Sequence, residues 1–243
     1  SQVKTDLEVG REVLERCLVG SWWEWTEGSA LLFWRWPEKL QQSARDGWKG
    51  WVKGPLPSNW GPQHLPKDNN QRIQLLEKVG KVLERGYLGG GVVKNLTGYF
   101  SVPKGLTDIR VVYDASKSLL NQALWAPNFA LPTIMSVLRG VDVNTWFGDG
   151  DFGEHFLNFF LDIRLRQYAG VDVTQVQRLL WESELRKLMD TNAERKSGFR
   201  VLELNGLLSK KGRIIRRWNR NFMGTRTSPF LCVKATALMA EVA

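Results

Sequence analysis

Residues 145–162, TWFGDGDFGEHFLNFFLD, constrain the chain more than any other stretch. Asp149 and Asp151 are two positions apart, and a β-strand places such residues on the same face. Carboxylates at a strand end, followed by a tight turn, favour a hard cation and the phosphates that it carries. A solvated turn is the alternative, because Asp and Gly are ordinary turn residues. The glycines that leave the backbone free to turn here are Gly148, Gly150 and Gly153.

The composition is that of a basic globular protein. The chain has 243 residues, of which 43% are apolar, and this is enough for a real core. Lysine and arginine outnumber aspartate and glutamate by 34 to 25, and the net charge of +9 suits a polyanionic partner, although a basic pI can also serve solubility alone. Two cysteines, Cys17 and Cys232, and two histidines exclude a zinc finger and a disulfide framework, which favours an intracellular setting.

The ends of the chain and its hydropathy predict a fragment without a membrane span. There is no run of about 18 apolar residues, so no membrane partner is expected. The polar N-terminus differs from a signal peptide. The sequence lacks an initiator Met, and Ala243 stands within an apolar helical pattern, so we expect a piece of a longer protein.

The N-terminal third is predicted to be largely helical. Residues 5–20 form an amphipathic pattern, and the tryptophan-rich residues 21–37 are interpreted as core rather than as rings that stack on bases. Proline and glycine make residues 50–68 a loop. Asp68 can cap a helix that Gly86 ends. One face of that helix carries Ile73, Leu76, Gly80 and Leu83.

A basic hairpin is predicted in the middle of the chain. Strand character begins at Val92 and leads to YFSVPKG and DIRVVYD, which are joined through residues 104–107. Lys104 lies at the turn and Arg110 on the returning strand, so the hairpin could fold over a triphosphate.

The C-terminal part combines helices with a strand-like segment. Residues 173–194 have a helical pattern, and residues 197–220 have strand character with turns at Asn205-Gly206 and Lys211-Gly212. The lysines and arginines of this segment could follow a nucleic-acid backbone, although a solvated hairpin would look the same. Ser228 suits an N-cap, with Pro229 in the first turn of a last helix.

Residues 99–132, YFSVPKGLTDIRVVYDASKSLLNQALWAPNFALP, resemble the fingers of a reverse transcriptase. In that family a hairpin lysine, an arginine, an aspartate, an asparagine and a proline pair recur in this order. The resemblance implies that Lys104 and Arg110 contact the phosphates of the incoming nucleotide. It also implies that Asp114 and Asn121 brace the fingers and that residues 128–132 lie along the template.

The acid-rich stretch follows where the same family has its first catalytic aspartate. If Asp151 is that residue, the family's aromatic gate beneath the nucleotide sugar falls on Phe156, and its terminal Leu-Asp falls on residues 161–162. If Asp149 were chosen instead, Glu154 would stand at the gate and the later landmarks would be missed. Mutual placement therefore favours Asp151.

The segment NFMGTRTSPF, residues 221–230, resembles the second palm motif of the family, in which Ser-Pro follows a glycine by four residues. The resemblance places Met223 and Gly224 at the nucleotide, and Gly224 would let a base pair or sugar approach the backbone. The family usually has Gln where this chain has Met223. The implied cofactor is Mg²⁺ (or Mn²⁺), bound by Asp151 and by the backbone carbonyl of Phe152.

The implied fold class is α+β, with right-hand polymerase fingers and a palm whose antiparallel sheet is backed by helices. Residues 1–91 would be a helical, Trp-rich N-terminal extension. Residues 92–140 would be the fingers hairpin and the template-contacting segment. Residues 141–243 would be a partial palm with an insertion at about 171–220.

The implied function is RNA-directed DNA polymerisation in a retroelement, in which deoxynucleoside triphosphates extend a DNA primer on an RNA template by two-metal phosphoryl transfer. The aromatic Phe156 favours DNA over RNA synthesis. The family's aromatic-x-Asp-Asp turn would follow Pro229 and is absent from the sequence, so we expect the chain to be inactive alone. A non-catalytic nucleic-acid-binding module derived from a polymerase is the alternative, and the oligomeric state stays open.

Overall fold

A computed structural model of the chain describes residues 37–131, the single positions 133, 135, 139 and 141, and residues 154–190 and 198–242. The predicted helix at residues 5–20, the Trp-rich segment up to residue 36, and Asp149, Asp151 and Phe152 lie outside the described residues. Within the described ranges, no helix combines the length and the apolar character that a membrane crossing requires.

The described elements are helices of different lengths interspersed with short strands. In chain order they are α1 (Glu38–Asp46), β1 (Trp51–Val52), α2 (Asn69–Glu84), β2 (Leu88–Gly89), β3 (Gly98–Lys104), β4 (Asp108–Asp114), α3 (Leu120–Ala123), β5 (Leu124–Trp125), a 3₁₀ helix (His155–Asn158), α4 (Ile163–Arg166), β6 (Gly170–Asp172), α5 (Thr174–Asp190), α6 (Gly198–Ser209), β7 (Ile215–Trp218) and α7 (Ser228–Val242).

The main core lies between a small antiparallel sheet and two helices. The sheet has the order β2-β7-β6, in which Leu88 pairs with Trp218 and Gly170 pairs with Arg217. Helix α2 packs on α5 and on β4, and apolar side chains from all of them join Trp218 in one buried cluster. The described residues therefore form a mixed helix and sheet structure with antiparallel sheets.

Helix α2 begins and ends as predicted, but its buried face differs. The Asp68 carboxylate accepts the Gln71 amide at 2.8 Å, and Gly86, with φ +70°, follows the last turn. Of the residues predicted to share one face, Leu76 and Gly80 are buried, whereas Ile73 is exposed. The reason is that α5 packs along a face shifted by one to two residues, where Gly80 lies 3.7 Å, measured from an ideal Cβ position, from Val176 and Leu180. The buried residues of α2 are Leu75, Leu76, Val79 and Gly80.

The β3–β4 hairpin is confirmed. Its register runs from Gly98 opposite Asp114 to Lys104 opposite Asp108, and Gly105 turns the chain with φ +68°. The strand begins later than predicted, at Gly98 rather than at Val92. Residues 92–97 instead cross beside β6, where Leu96 forms an isolated bridge with Gly170.

The prediction of strand character for residues 197–220 is wrong for its first half, which forms α6. Asn205-Gly206 lies inside that helix and is not a turn. Leucines suit either state, and tertiary contacts select the helix: Arg200 donates to both carboxylate oxygens of Glu184 on α5, at 2.8 and 2.9 Å. Leu204 is fully buried. Only the second half, at Ile215–Trp218, is a strand.

A second apolar cluster surrounds the first turns of α7. It consists of Trp48, Phe159, Leu231, Cys232 and Ala235, with Phe156 and Phe230 packed against it. The Thr227 carbonyl accepts the first helical hydrogen bond from the Leu231 amide at 3.0 Å, so Thr227, and not Ser228, lies at the N-cap. This cluster attaches the 3₁₀ helix to α7.

Candidate functional site

A cleft of about 620 Å³ opens between the C-terminal half of α2, the β3–β4 hairpin, the 3₁₀ helix and residues 218–223. We call it the basic cleft. Its volume lies within the range of about 300–1,000 Å³ that is usual for small-molecule sites. Four elements that are far apart in sequence therefore enclose one space of ligand size.

Most of the residues that the resemblance assigns to the nucleotide line this cleft. They are Lys104 and Arg110 from the hairpin, Phe156 from the 3₁₀ helix, and Met223 from the loop before α7. Gly224 follows Met223 but lies outside the lining. Asp151 and Phe152 lie outside the described residues. That they lie at the same cleft stays a prediction.

Helix α2 and its C-cap add three basic residues that sequence reasoning missed, Lys78, Lys81 and Arg85. Their spacing of three and four residues places them on one helical face, and this periodicity was the signal that could have found them. Lys78 bonds to the Asp108 carboxylate at 2.6 Å and thereby lowers the pKa of Asp108. Among the described residues, no carboxylate lies within ion-pair distance of Lys81, Lys104 or Arg110. The cleft therefore offers cations to an anionic ligand.

The floor of the cleft is aromatic. The Trp218 and Phe222 rings stack with centroids 4.9 Å apart, and Tyr113 meets Trp218 edge to face at 4.7 Å. Within the described part of the chain, the Tyr113 hydroxyl and the Trp218 indole nitrogen are buried without a hydrogen-bond partner. Burial raises the pKa of Tyr113, so its hydroxyl stays neutral.

Among the described residues that line the cleft, Glu154 is the one with a carboxylate side chain. Its carboxylate accepts a hydrogen bond from the Arg85 guanidinium and another from the Tyr87 hydroxyl, the latter at 2.7 Å. Its φ of +53° is unusual for a residue other than glycine. The acid thus has two partners and an uncommon backbone conformation directly before the 3₁₀ helix.

Asn121 connects the chain after the hairpin to the loop before α7. Its side-chain NH₂ donates to the Gly224 carbonyl at 2.8 Å, and its side-chain oxygen accepts the Arg226 amide at 2.7 Å. Asp114 accepts the amides of Ser116 and Lys117 at 3.1 and 2.8 Å and so shapes the turn that follows β4. Asn121 therefore holds the loop that carries Met223 beside the hairpin.

Gly224 has a structural reason to be glycine that differs from the predicted one. Its φ is +112°, and a Cβ atom on it would lie 2.0 Å from the Tyr113 carbonyl oxygen. The group that approaches this backbone closely is thus the protein's own strand β4, and the predicted approach of a base pair or sugar is not needed to explain the residue.

The described residues do not by themselves form a metal site. They contain no group of three or more His, Cys, Asp or Glu side chains that could bind an ion. Glu154, the acid that lines the described cleft, already accepts hydrogen bonds from Arg85 and Tyr87. Asp151 and Phe152, to which the resemblance assigns Mg²⁺, lie outside the described part of the chain.

No protein-family model and no curated protein matches the sequence. Two solved structures that are similar to the chain are foamy virus protease-reverse transcriptases. One is in complex with double-stranded DNA; it is 12% identical, the match covers 93% of this chain and 34% of that protein, and the TM-score is 0.46. The other is the native prototype foamy virus protein, with 13% identity, 93% and 26% coverage and a TM-score of 0.44. This chain spans about a third or less of each protein's length.

Proposed function

We propose that the basic cleft binds a deoxynucleoside triphosphate and that the chain is part of an RNA-directed DNA polymerase. The observation that carries the proposal is that Lys104, Arg110, Phe156 and Met223 line one cleft. The sequence resemblance assigns each of them to the nucleotide, and they come from three separate regions of the chain. Their meeting in one space of suitable volume supports a shared ligand.

The charges of the cleft suggest how the nucleotide is oriented. Lys104 and Arg110, together with Lys81 of α2, bind the triphosphate, because phosphate oxygens form strong charge-assisted hydrogen bonds with lysine and arginine. Phe156 lies against the sugar and excludes a 2′-hydroxyl. Met223 stands where the family usually has glutamine, so the sugar is held here by packing rather than by an amide.

The proposed metal ions are Mg²⁺ or Mn²⁺, with ligands from Asp151 and the Phe152 carbonyl. The sequence contains no pair of adjacent aspartates, so the chain lacks the second acidic motif of the family. We therefore propose that this chain binds nucleotide and primer-template but does not extend the primer alone, and that synthesis belongs to a longer parent.

A calorimetric titration tests nucleotide binding directly. Purified chain is titrated with dATP in Mg²⁺, and the same titration is made for Lys104→Ala, Arg110→Ala and the control Lys67→Ala. Each cleft variant should lose roughly tenfold or more in affinity, because a hydrogen bond to a charged group contributes about 1.5–3 kcal/mol. Lys67 is exposed and lies outside the cleft, so its loss should change the affinity little. Equal losses in all three variants, or no binding by the unaltered chain, would overturn the proposal.

The second candidate is a non-catalytic nucleic-acid-binding module, which the net charge of +9 favours. Fluorescence anisotropy with an RNA–DNA primer-template separates the two functions. For a polymerase, dATP and Mg²⁺ should tighten primer-template binding, and Asp151→Asn should abolish that tightening. A simple binding module would hold the duplex equally well with or without nucleotide, in both the unaltered chain and the variant.

A further inference from the structure

Glu154 lies two residues before Phe156 and adopts a left-handed conformation, with φ +53° and ψ 37°. Residues other than glycine adopt this conformation only when their surroundings stabilise it. The Leu157 amide donates to the Glu154 carbonyl at 2.8 Å, and this bond opens the 3₁₀ turn that presents Phe156. The backbone of Glu154 therefore determines where the Phe156 ring stands.

The side chain of Glu154 is bound on both carboxylate oxygens. Arg85, at the end of α2, donates to one oxygen, and the Tyr87 hydroxyl donates to the other at 2.7 Å. Tyr87 is itself buried and fixed, since its amide donates to the Val82 carbonyl at 3.2 Å and its carbonyl accepts the Asn219 amide at 3.0 Å. An exposed ion pair alone contributes little stabilising free energy. The hydrogen bond from the buried Tyr87 therefore contributes more to holding the Glu154 carboxylate in place.

A second set of contacts fixes the 3₁₀ helix independently of Glu154. The His155 ring nitrogen Nε2 lies 2.8 Å from the Thr236 hydroxyl on α7. The Phe159 ring meets Trp48 edge to face at 5.8 Å within the second apolar cluster. The 3₁₀ helix is thus attached to α7 on one side and, through Glu154, to the end of α2 on the other.

We propose that Arg85 and Tyr87 are positioning residues for Phe156, the ring proposed to face the sugar, and that they act through Glu154. They keep Glu154 in its left-handed conformation. The Phe156 ring is thereby held at the position in the basic cleft from which it discriminates between deoxyribose and ribose. The sugar discrimination rests on the proposed function, whereas the attachment of the turn does not. When the attachment is lost, Glu154 relaxes, and Phe156 no longer excludes the 2′-hydroxyl.

Hydrogen exchange measured by mass spectrometry tests the attachment without any ligand. In Tyr87→Phe, the peptide that contains the Leu157 amide should exchange roughly fivefold to tenfold faster, as expected for the loss of one hydrogen bond. Tyr99→Phe is the matched control. It removes the hydroxyl of another buried tyrosine, which donates to the Asp172 carbonyl at 3.1 Å away from the cleft, and it should leave this peptide unchanged.

A double-mutant cycle separates a positioning role from general loosening. In a Glu154→Gly background the carboxylate is absent and the left-handed conformation carries no side-chain penalty, so Tyr87→Phe should add nothing further. The proposal is overturned if Tyr87→Phe accelerates exchange equally in both backgrounds. It is also overturned if Tyr87→Phe has no effect when Glu154 is present.

The nucleotide readout is the ratio of dATP affinity to ATP affinity in Mg²⁺. Tyr87→Phe should lower this ratio by roughly fivefold, mainly through tighter ATP binding, whereas Tyr99→Phe should not change it. If the unaltered chain binds neither nucleotide, the proposed function fails, and the exchange cycle still decides whether Glu154 holds the turn. If exchange responds as expected but the ratio does not, the attachment stands and the role in sugar selection is overturned.

Discussion

The Tyr113 carbonyl oxygen occupies the space that a side chain on residue 224 would need. A Cβ atom built on Gly224 would lie 2.0 Å from that oxygen, and Gly224 has φ +112°, which side chains disfavour. Strand β4 and the loop that carries Met223 consequently touch backbone to backbone. Tyr113 and Met223, on the two sides of this contact, both line the basic cleft.

Gly224→Ala should therefore destabilise the protein by at least about 2 kcal/mol, because an added methyl group both clashes with backbone and strains φ. Urea unfolding followed by tryptophan fluorescence measures this loss. The expected change is a lower urea concentration at the unfolding midpoint, with an unchanged dependence of the unfolding free energy on urea concentration.

Two other glycines provide matched controls for this substitution. Gly105 has φ +68° with no atom near an added Cβ, so Gly105→Ala should show the conformational penalty alone, about 1 kcal/mol. Gly90 has open space and no positive φ, so Gly90→Ala should be close to neutral. If Gly224→Ala unfolded at the same urea concentration as Gly105→Ala, the contact with Tyr113 would not be the dominant cause.

Asp162 should make stability depend on pH in the acidic range. Burial opposes ionisation of this carboxyl, but hydrogen bonds from the Arg164 side chain and from the amides of Arg164 and Gly50 outweigh burial and lower its pKa. Because the folded pKa lies below the unfolded value of about 3.9, the stabilisation is complete above that pH. It is lost as the pH falls through the folded pKa.

Asp162→Asn should cost about 2 kcal/mol at pH 7 and remove that part of the acid sensitivity. Unfolding free energies from urea titrations between pH 3 and pH 7 measure both effects. The difference between the unaltered chain and the variant should be constant above about pH 5 and shrink below about pH 4. Glu77→Gln, which changes an exposed carboxyl on α2, controls for the loss of a charge. A difference that did not shrink in acid would contradict the assignment.

Helix α2 could be predicted from sequence because its start signal is local. The Asp68 carboxylate accepts an amide only three residues away, at 2.8 Å, and the hairpin turn at Gly105 is equally local. The bonds from Arg85 and Tyr87 to Glu154 could not be predicted, since they join residues more than sixty positions apart. Helix α6 was missed for the same reason: its leucines suit a strand or a helix, and the distant Glu184 favours the helix.

The residues of the candidate site could be predicted from the family resemblance, but their meeting in space could not be predicted from local sequence patterns. No local pattern indicates that Lys104, Phe156 and Met223 meet, and only the order of motifs in a known family suggested it. The lysines of α2 followed a readable helical periodicity, but nothing in the sequence indicates that this face of the helix borders the hairpin. The meeting of these elements depends on the packing of α2 against β4 and α5.

The cap at the start of α2 should contribute to the stability of the fold. Asp68→Ala removes the acceptor of the Gln71 amide and should cost about 1 kcal/mol, whereas Asp68→Asn keeps an acceptor and should be nearly neutral. Thermal unfolding followed by circular dichroism measures the difference. If the two variants unfolded at the same temperature, the side-chain oxygen of Asp68 would have no capping role.

Cys232 should be protected from thiol reagents as long as α7 stays packed against the second apolar cluster. Its side chain is 1% exposed within the second apolar cluster, and burial raises the pKa of the thiol to about 12. Since the thiolate is the reactive form, both access and ionisation oppose labelling. A Cys17→Ser variant leaves Cys232 as the remaining thiol. Its reaction with Ellman's reagent at pH 8 should be at least about 100-fold slower in buffer than in unfolding urea. Labelling at the unfolded rate in buffer would show that α7 does not close over Trp48 and Phe159.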